Sequence, residues 1–116
     1  MGDVKNGFMH GYGEFLWPDG KKYCGNYLND KKDGFGAYLW KLNPLDAYFG
    51  FWENGLQHGI GIKMKHKRVK YGFWVNGKKE CWLQGPWEMK KYAKLDQFKY
   101  IKFLSKNFKE MLFILS

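Results

Sequence analysis

The chain has 116 residues, of which 45% are hydrophobic and 21% aromatic, and its formal net charge is +9. This length suffices for one domain, and so many aromatic rings exclude a disordered tail. Arg68 is the only arginine among the 20 basic residues. Because arginine is the usual bidentate ligand of bases and phosphates, its scarcity argues against sequence-specific reading of nucleic acid. The positive charge favours an acidic partner or surface.

Strand patterns alternate with turn signals from the N-terminus to about residue 82. A sequence motif with glycines at fixed positions recurs along this stretch, and the equivalent glycines of successive copies are 22 to 25 residues apart. The turn tetrad Pro18-Asp19-Gly20-Lys21 separates the first copy from the second. The copies, some of them partial, occupy residues 6–13, 23–36, 48–62 and 72–81.

The motif is Y-x-G-x-[YW]-x-x-G-x-x-[HD]-G-x-G. Over residues 6–82 it resembles the MORN repeat (membrane occupation and recognition nexus). Four features depart from that pattern: Asp30 replaces a glycine, Lys70 replaces the leading tyrosine of the last copy, Glu80-Cys81 replaces its His-Gly, and residues 42–47 contain a two-residue insertion. The resemblance implies a mainly β fold, a single-layer antiparallel meander of MORN β-hairpins. It also implies a non-catalytic scaffold, since such proteins are commonly components of ciliary axonemes, cytoskeletal scaffolds and membrane contacts.

The spacing within each copy also predicts a β-hairpin. Tyr48, Gly50 and Trp52 are two residues apart and share one face of a strand, so the glycine leaves room for a neighbouring ring. Asn54-Gly55 suits a type I′ turn, which needs positive φ at both positions. A phosphate-binding loop would need a helix after Gly61, and no helical pattern follows. The positions predicted to pack or turn in this way are Gly11, Gly13, Tyr23, Gly25, Tyr27, Gly34, Gly36, Tyr48, Gly50, Trp52, Gly55, Gly59, Gly61, Gly72, Trp74 and Gly77.

No set of residues predicts catalysis or metal binding. His10 and His58 occupy the repeat position that holds Asp33 in the second copy, which favours a turn hydrogen bond over acid–base chemistry. Cys24 and Cys81 have no CxxC spacing and no candidate base, so neither a zinc site nor a nucleophile is indicated. We therefore predict that the chain is not an enzyme, has no cofactor or metal, and belongs to a reducing, cytoplasmic compartment.

The side chains between the glycines predict two apolar faces. One face has the parity of Tyr12, Leu16, Phe35, Ala37, Leu39, Phe49, Phe51, Ile60, Ile62, Met64, Tyr71, Phe73 and Val75. The other carries Phe15, Trp17, Tyr23, Tyr27, Tyr38, Trp40, Tyr48, Trp52 and Trp74. A single layer cannot bury two such faces alone, so we expect a covering element on one face and a partner on the other.

The C-terminal part predicts that covering element. From Trp87 onward the turn signals stop, and apolar residues follow helical spacing at Phe98, Ile101, Leu104, Phe108, Met111, Leu112 and Leu115. We predict two regions, the repeat meander at 1–86 and a basic amphipathic helix at 87–116. Three interpretations of the helix stay open: it caps one sheet face, it inserts into the groove of a partner, or it lies on anionic lipid.

The leading functional hypothesis is a structural scaffold that holds a segment of a partner protein on the aromatic face, in a ciliary axoneme or another cytoskeletal assembly. A tubulin-based assembly would supply the acidic partner that the lysine-rich surface suits. Binding of anionic phospholipid through the basic helix is the alternative. Residues 32–38 resemble the RNP1 strand of RNA-binding domains, but their G-x-G recurs in phase with the repeat, which makes single-stranded nucleic acid the weaker alternative. The candidate partner-binding residues are Trp17, Tyr38, Trp40, Trp52, Trp74, Phe98, Ile101, Phe108, Lys99, Lys102 and Lys106.

Overall fold

The computed structural model describes residues 2–5, 7–66, 68–93, 97–99 and 101–102. These residues contain one antiparallel sheet in which every strand pairs with the next strand along the chain. The predicted mainly β meander is therefore confirmed. The eight strands are β1 (Gly2–Lys5), β2 (Phe8–Leu16), β3 (Lys22–Leu28), β4 (Lys31–Lys41), β5 (Asp46–Glu53), β6 (Leu56–Lys65), β7 (Arg68–Val75) and β8 (Lys78–Leu83).

The hairpin turns within the copies have the predicted backbone conformation. Asn54 and Gly55 have φ values of 52° and 83°, and Asn76 and Gly77 have values of 48° and 85°. Positive φ at both central positions defines the type I′ turn, whose twist matches that of the flanking strands. Asp30, which replaces a glycine of the pattern, also adopts a positive φ of 68°. The substitution therefore preserves the turn, because aspartate tolerates this region better than most residues.

A row of glycines crosses the sheet with each glycine opposite the next. The row runs through Gly13, Gly25, Gly36, Gly50, Gly61 and Gly72 on strands β2 to β7. The ring of Tyr23 lies where side chains at Gly25 and Gly36 would stand, and the ring of Tyr48 does the same at Gly50 and Gly61. The predicted packing role of these glycines is thus seen directly: the missing side chains form a trough in which aromatic rings lie on the backbone.

The two predicted faces are both present. The first, which we call the aliphatic face, is the larger core, and it includes the fully buried Phe49, Ile60 and Ile62. Its cover comes from the C-terminal part, where Met89, Phe98 and Ile101 are 0%, 5% and 0% exposed and belong to the same cluster. The described part of the tail therefore packs on the aliphatic face of the chain's own sheet.

The tail departs from the prediction at its start. A 3₁₀ helix occupies Pro86–Lys91 where the sequence predicted the beginning of an α-helix at Trp87. Pro86 is the first residue of this segment, where its missing N–H costs no helical hydrogen bond. The short 3₁₀ segment suffices to bring Met89 into the core. Residues 97–99 and 101–102 are helical, while Leu104, Phe108, Met111, Leu112 and Leu115 lie outside the described residues. Within the described part, no helix is long and apolar enough to span a membrane.

We expect Gly61→Ala to lower the free energy of unfolding by about 1–3 kcal/mol, the usual cost of overpacking a core. A Cβ at this position would stand 2.5 Å from Cε1 of Tyr48, and the neighbouring strands leave that ring no room to retreat. Urea denaturation followed by tryptophan fluorescence measures the loss. Lys31→Ala, at an exposed position of β4, is the control and should change stability by less than about 0.5 kcal/mol. Equal midpoints for the two variants would contradict the packing role of the glycine row.

Candidate functional site

Four aromatic side chains lie in the glycine trough and form a buried cluster on the second face, which we call the aromatic face. Tyr23 and Tyr48 are fully buried, and Trp52 and Trp74 are 8% and 5% exposed. The ring of Tyr48 meets Trp52 at 5.4 Å and Trp74 at 4.9 Å, both edge to face. The indole N–H of Trp52 donates to the carbonyl of Gly36 at 3.1 Å. These geometries are the favoured ones for aromatic pairs.

This burial corrects the expectation that the aromatic face is wholly open to a partner. The sequence predicted Trp52 and Trp74 as partner-binding residues, but the sheet itself buries both. The reason is the trough: Tyr48 lies over Gly50 and Gly61, and the rings of Trp52 and Trp74 pack edge to face against it. In this structure both tryptophans are part of the buried core of the repeat.

The open part of the aromatic face is a line of rings beside this cluster, which we call the ring strip. Phe15 contacts Trp17 with 4.6 Å between ring centres, Trp17 contacts Tyr38 at 5.5 Å, and Tyr38 contacts Trp40 at 4.6 Å. Phe15 is 47% exposed, and the other three are half-buried. Of the predicted partner-binding tryptophans and tyrosines, Trp17, Tyr38 and Trp40 are therefore brought together on one surface.

Lys32 covers part of the aromatic face. Its ammonium nitrogen lies 5.4 to 5.8 Å from the ring centres of Trp17, Tyr23, Tyr38 and Trp52, within the range of cation–π attraction. Burial lowers the pKa of Lys32, because the partly desolvated ammonium loses hydration. The lysine thus stabilises the inner cluster and also lies near two rings of the strip, Trp17 and Tyr38, which stay half-buried.

A basic groove lies further along the same face. Its cavity of about 570 Å³ is lined by Lys63, Lys65, His66, Arg68, Lys70 and Trp82. Lys63 pairs with Asp46 at 2.8 Å and lies 3.9 Å from the ring centre of Trp40, which links the groove to the ring strip. Lys70 and Lys79 lie 5.0 and 4.4 Å from the ring centre of Trp82.

The phenol groups of the buried cluster bond to the sheet backbone. Tyr23 donates to the carbonyl of Asn26 at 3.0 Å, and Tyr48 donates to the carbonyl of Phe51 at 3.2 Å. Burial raises the pKa of both tyrosines well above the ordinary value, because the phenolate form would be desolvated. Both groups therefore remain neutral hydrogen-bond donors at neutral pH.

The His/Asp position of the repeat connects neighbouring copies. The backbone N–H of Asn54 donates to Oδ2 of Asp33 at 3.4 Å, and the backbone N–H of Asn76 donates to Nδ1 of His58 at 3.1 Å. Each acceptor therefore binds the turn of the following hairpin. This confirms the predicted turn hydrogen bond and explains why aspartate and histidine share the position. His58 also faces Glu53, with 3.2 Å between Nε2 and Oε2.

The remaining predicted site residues lie apart from the ring strip. Phe98 and Ile101 are buried in the cover of the aliphatic face, so within this structure their surfaces are not available to a partner. Lys99 and Lys102 are exposed on that cover. Phe108 and Lys106 lie outside the described residues.

Several residues of the aromatic face are not among the site residues that the sequence predicted. Trp82 stands where the repeat pattern has faded, yet it is opposite Gly72 and so lies on the aromatic face. Lys63 and Lys70 are directly opposite each other on β6 and β7, a pairing visible only once the register is known. Phe15 carried a usable signal, since it has the parity of the aromatic face. Lys32 carried the same signal, because it has the parity of Tyr38 and Trp40 on β4 and lies opposite Tyr27.

Comparison of the sequence with models of known protein families identifies the repeat. The MORN repeat model matches residues 1–22, 23–41 and 48–64, half of the chain. The matched segments comprise most of the hairpins from β1 to β6. The chain therefore belongs to the MORN repeat family, whose members mediate interactions with proteins or membranes and are typically non-enzymatic.

Three similar proteins show how little of a larger chain the matched region represents. Rat Alsin is 42% identical over 60 residues, which are 49% of this chain and 4% of Alsin. Human Alsin is 40% identical over the same length. MORN repeat-containing protein 3 of Xenopus laevis is 32% identical over 68 residues, or 53% of this chain and 28% of that protein. The chain thus matches only a small part of these relatives.

His58→Ala should lower the free energy of unfolding by about 0.5–1 kcal/mol, because the turn N–H of Asn76 loses its acceptor to water. His58→Asp should restore part of this loss, since Asp33 accepts the equivalent bond in the preceding copy, while Glu53 beside residue 58 repels the new carboxylate. Urea midpoints of the two variants and the unsubstituted chain give the comparison. Equal destabilisation by alanine and aspartate would show that the repeat position does not act through this bond.

Stability should fall as pH rises above about 10, the ordinary pKa of tyrosine. The unfolded chain then releases phenolic protons that Tyr23 and Tyr48 retain in the folded state, so folding loses roughly 1.4 kcal/mol per pH unit for each. Urea unfolding at a series of alkaline pH values measures the slope. Tyr48→Phe should reduce it, and this comparison separates Tyr48 from Lys32, whose lowered pKa acts with the opposite sign. An unchanged slope in Tyr48→Phe would contradict the assignment.

Proposed function

We propose that this chain is a non-catalytic interaction module that holds a segment of a partner protein along the ring strip of Phe15, Trp17, Tyr38 and Trp40. One observation carries the proposal: the two faces of the sheet differ in their cover. Met89, Phe98 and Ile101 pack on the aliphatic face. On the aromatic face, every described member of the cluster comes from the sheet or from the turn after β2.

The ring strip has the properties of a recognition surface. Tryptophan and tyrosine are the usual anchors of protein interfaces, because they offer a large contact area with few rotatable bonds. Here Tyr38 packs against Tyr23 and Trp52, and Trp17 and Trp40 pack against Tyr38. These contacts hold the central rings of the strip in place before a partner arrives. Such preorganisation reduces the entropy that association costs.

The setting of this interaction stays a prediction. A ciliary axoneme or another cytoskeletal assembly rests on the family resemblance, and a cytoplasmic location rests on the two isolated cysteines. Binding of anionic phospholipid through the tail is also untested; the tail has exposed Lys99 and Lys102 among its described residues.

Replacing the strip should abolish partner capture. We expect Trp17→Ala/Trp40→Ala to lose, by about tenfold or more, the proteins that the unsubstituted chain retains from a membrane-free lysate, because each buried anchor contributes about 1–2 kcal/mol. Quantitative mass spectrometry of the captured proteins provides the measurement.

The control variant is Trp87→Ala, which removes a ring that is 65% exposed and outside the aromatic cluster. It should retain the same proteins as the unsubstituted chain, and urea midpoints should show that both variants fold. Retention of every captured protein by folded Trp17→Ala/Trp40→Ala would overturn the proposal.

A further inference from the structure

The basic groove contains like charges in direct opposition. Lys63 faces Lys70 across the β6–β7 pair, and Lys65 faces Arg68 two residues further along. Directly opposed residues of an antiparallel pair are about 5 Å apart at their Cβ atoms, and like charges placed there are destabilising. Successive pairs on one face repeat at about 6.8 Å along the strand. Four cations therefore occupy a rectangle of roughly 5 by 7 Å at their Cβ atoms.

Only one of these four cations has a carboxylate partner in the described part of the chain. That cation is Lys63, whose ammonium lies 2.8 Å from Oδ1 of Asp46. Lys65, Arg68 and Lys70 are exposed and line the same groove. Asp46 pairs with Lys63 and lies opposite Lys65 on β5, so a single carboxylate faces this group of four cations. It offsets only part of their electrostatic cost, and a bound anion would relieve the rest.

We propose that the basic groove binds an extended, acidic protein segment with carboxylates at alternate positions. Alternate side chains of an extended segment point to one side and repeat at about 6.8 Å, the same period as Lys63/Lys65 on β6 and Arg68/Lys70 on β7. The inference rests on the proposed function, since the contact of Lys63 with Trp40 makes the groove a continuation of the ring strip. It adds the charge of the partner to the surface already described.

The rings beside the groove argue against the other anionic ligands. Single-stranded nucleic acid needs open ring faces on which bases stack, but Lys63 lies over Trp40, and Lys70 and Lys79 lie near Trp82. A membrane-surface site needs apolar side chains that enter the acyl region, and here ammonium groups approach the same rings. A second copy of the chain is disfavoured by its charge of +9.

The test uses a short labelled peptide in which glutamate and threonine alternate, with fluorescence anisotropy as the readout. The unsubstituted chain should bind it, and binding should weaken as ionic strength rises. Lys65→Gln/Arg68→Gln should weaken binding by about tenfold, because two charge-assisted contacts are lost. The same peptide with glutamine in place of glutamate should not bind.

The matched control is Lys31→Gln/Lys78→Gln, which removes two exposed charges next to the hairpin turns at the opposite end of the strands. It should bind the acidic peptide nearly as well as the unsubstituted chain. Lys65→Gln/Arg68→Gln relieves a like-charge pair, so its urea midpoint should be unchanged or higher, which separates loss of the site from loss of the fold.

Three results would overturn the inference: equal loss in the two double variants, no binding of the acidic peptide, or binding through Lys65 and Arg68 only to phosphatidylserine vesicles or to single-stranded oligonucleotide. The outcomes also separate the two proposals. If Trp17→Ala/Trp40→Ala loses its partners while the acidic peptide fails to bind, the interaction module stands without an acidic preference. If the peptide binds while the tryptophan variant keeps its partners, the groove is a site of its own.

Discussion

The packing of aromatic rings on a row of glycines is the interaction from which the rest of this structure follows. Because Gly25, Gly36, Gly50 and Gly61 have no side chains, the rings of Tyr23 and Tyr48 reach the backbone of the sheet. The rings then bury each other within a single layer, a task that usually needs a second sheet or a helix. The sheet can therefore complete one core by itself and use its C-terminal tail for the other.

The two faces consequently have different relations to the surroundings. The aliphatic face depends on residues far along the chain, such as Met89 and Ile101, for its cover. The aromatic face finishes its inner part with Lys32, which lies near four rings, and leaves an outer strip. This division explains how a small sheet combines a stable core with a surface rich in tryptophan and tyrosine.

The fold could be predicted from the sequence because the local turn signals and the repeat indicate the same hairpins. Asn54-Gly55 and Asn76-Gly77 define hairpins on their own, and the alternation of side chains then assigns each residue to a face. The burial of Trp52 and Trp74 could not be predicted from alternation, because it depends on rings that come from other strands. The groove was hidden for a related reason: Lys63 and Lys70 are seven residues apart, and only the register makes them neighbours. Pro86 and the 3₁₀ helix show the limit of helical periodicity, which does not specify where the first turn begins.

The connectivity of the sheet has a consequence for how such chains change in length. Each strand pairs with its neighbours in sequence, and Asp33 and His58 each accept a hydrogen bond from the turn of the next hairpin. The sheet is therefore a linear array in which each copy pairs with the copy before it and the copy after it. Duplication or deletion of one whole hairpin would join equivalent strand edges. Such a protein can evolve a longer or shorter surface in steps, and nascent hairpins can add to the growing sheet in the order of their synthesis.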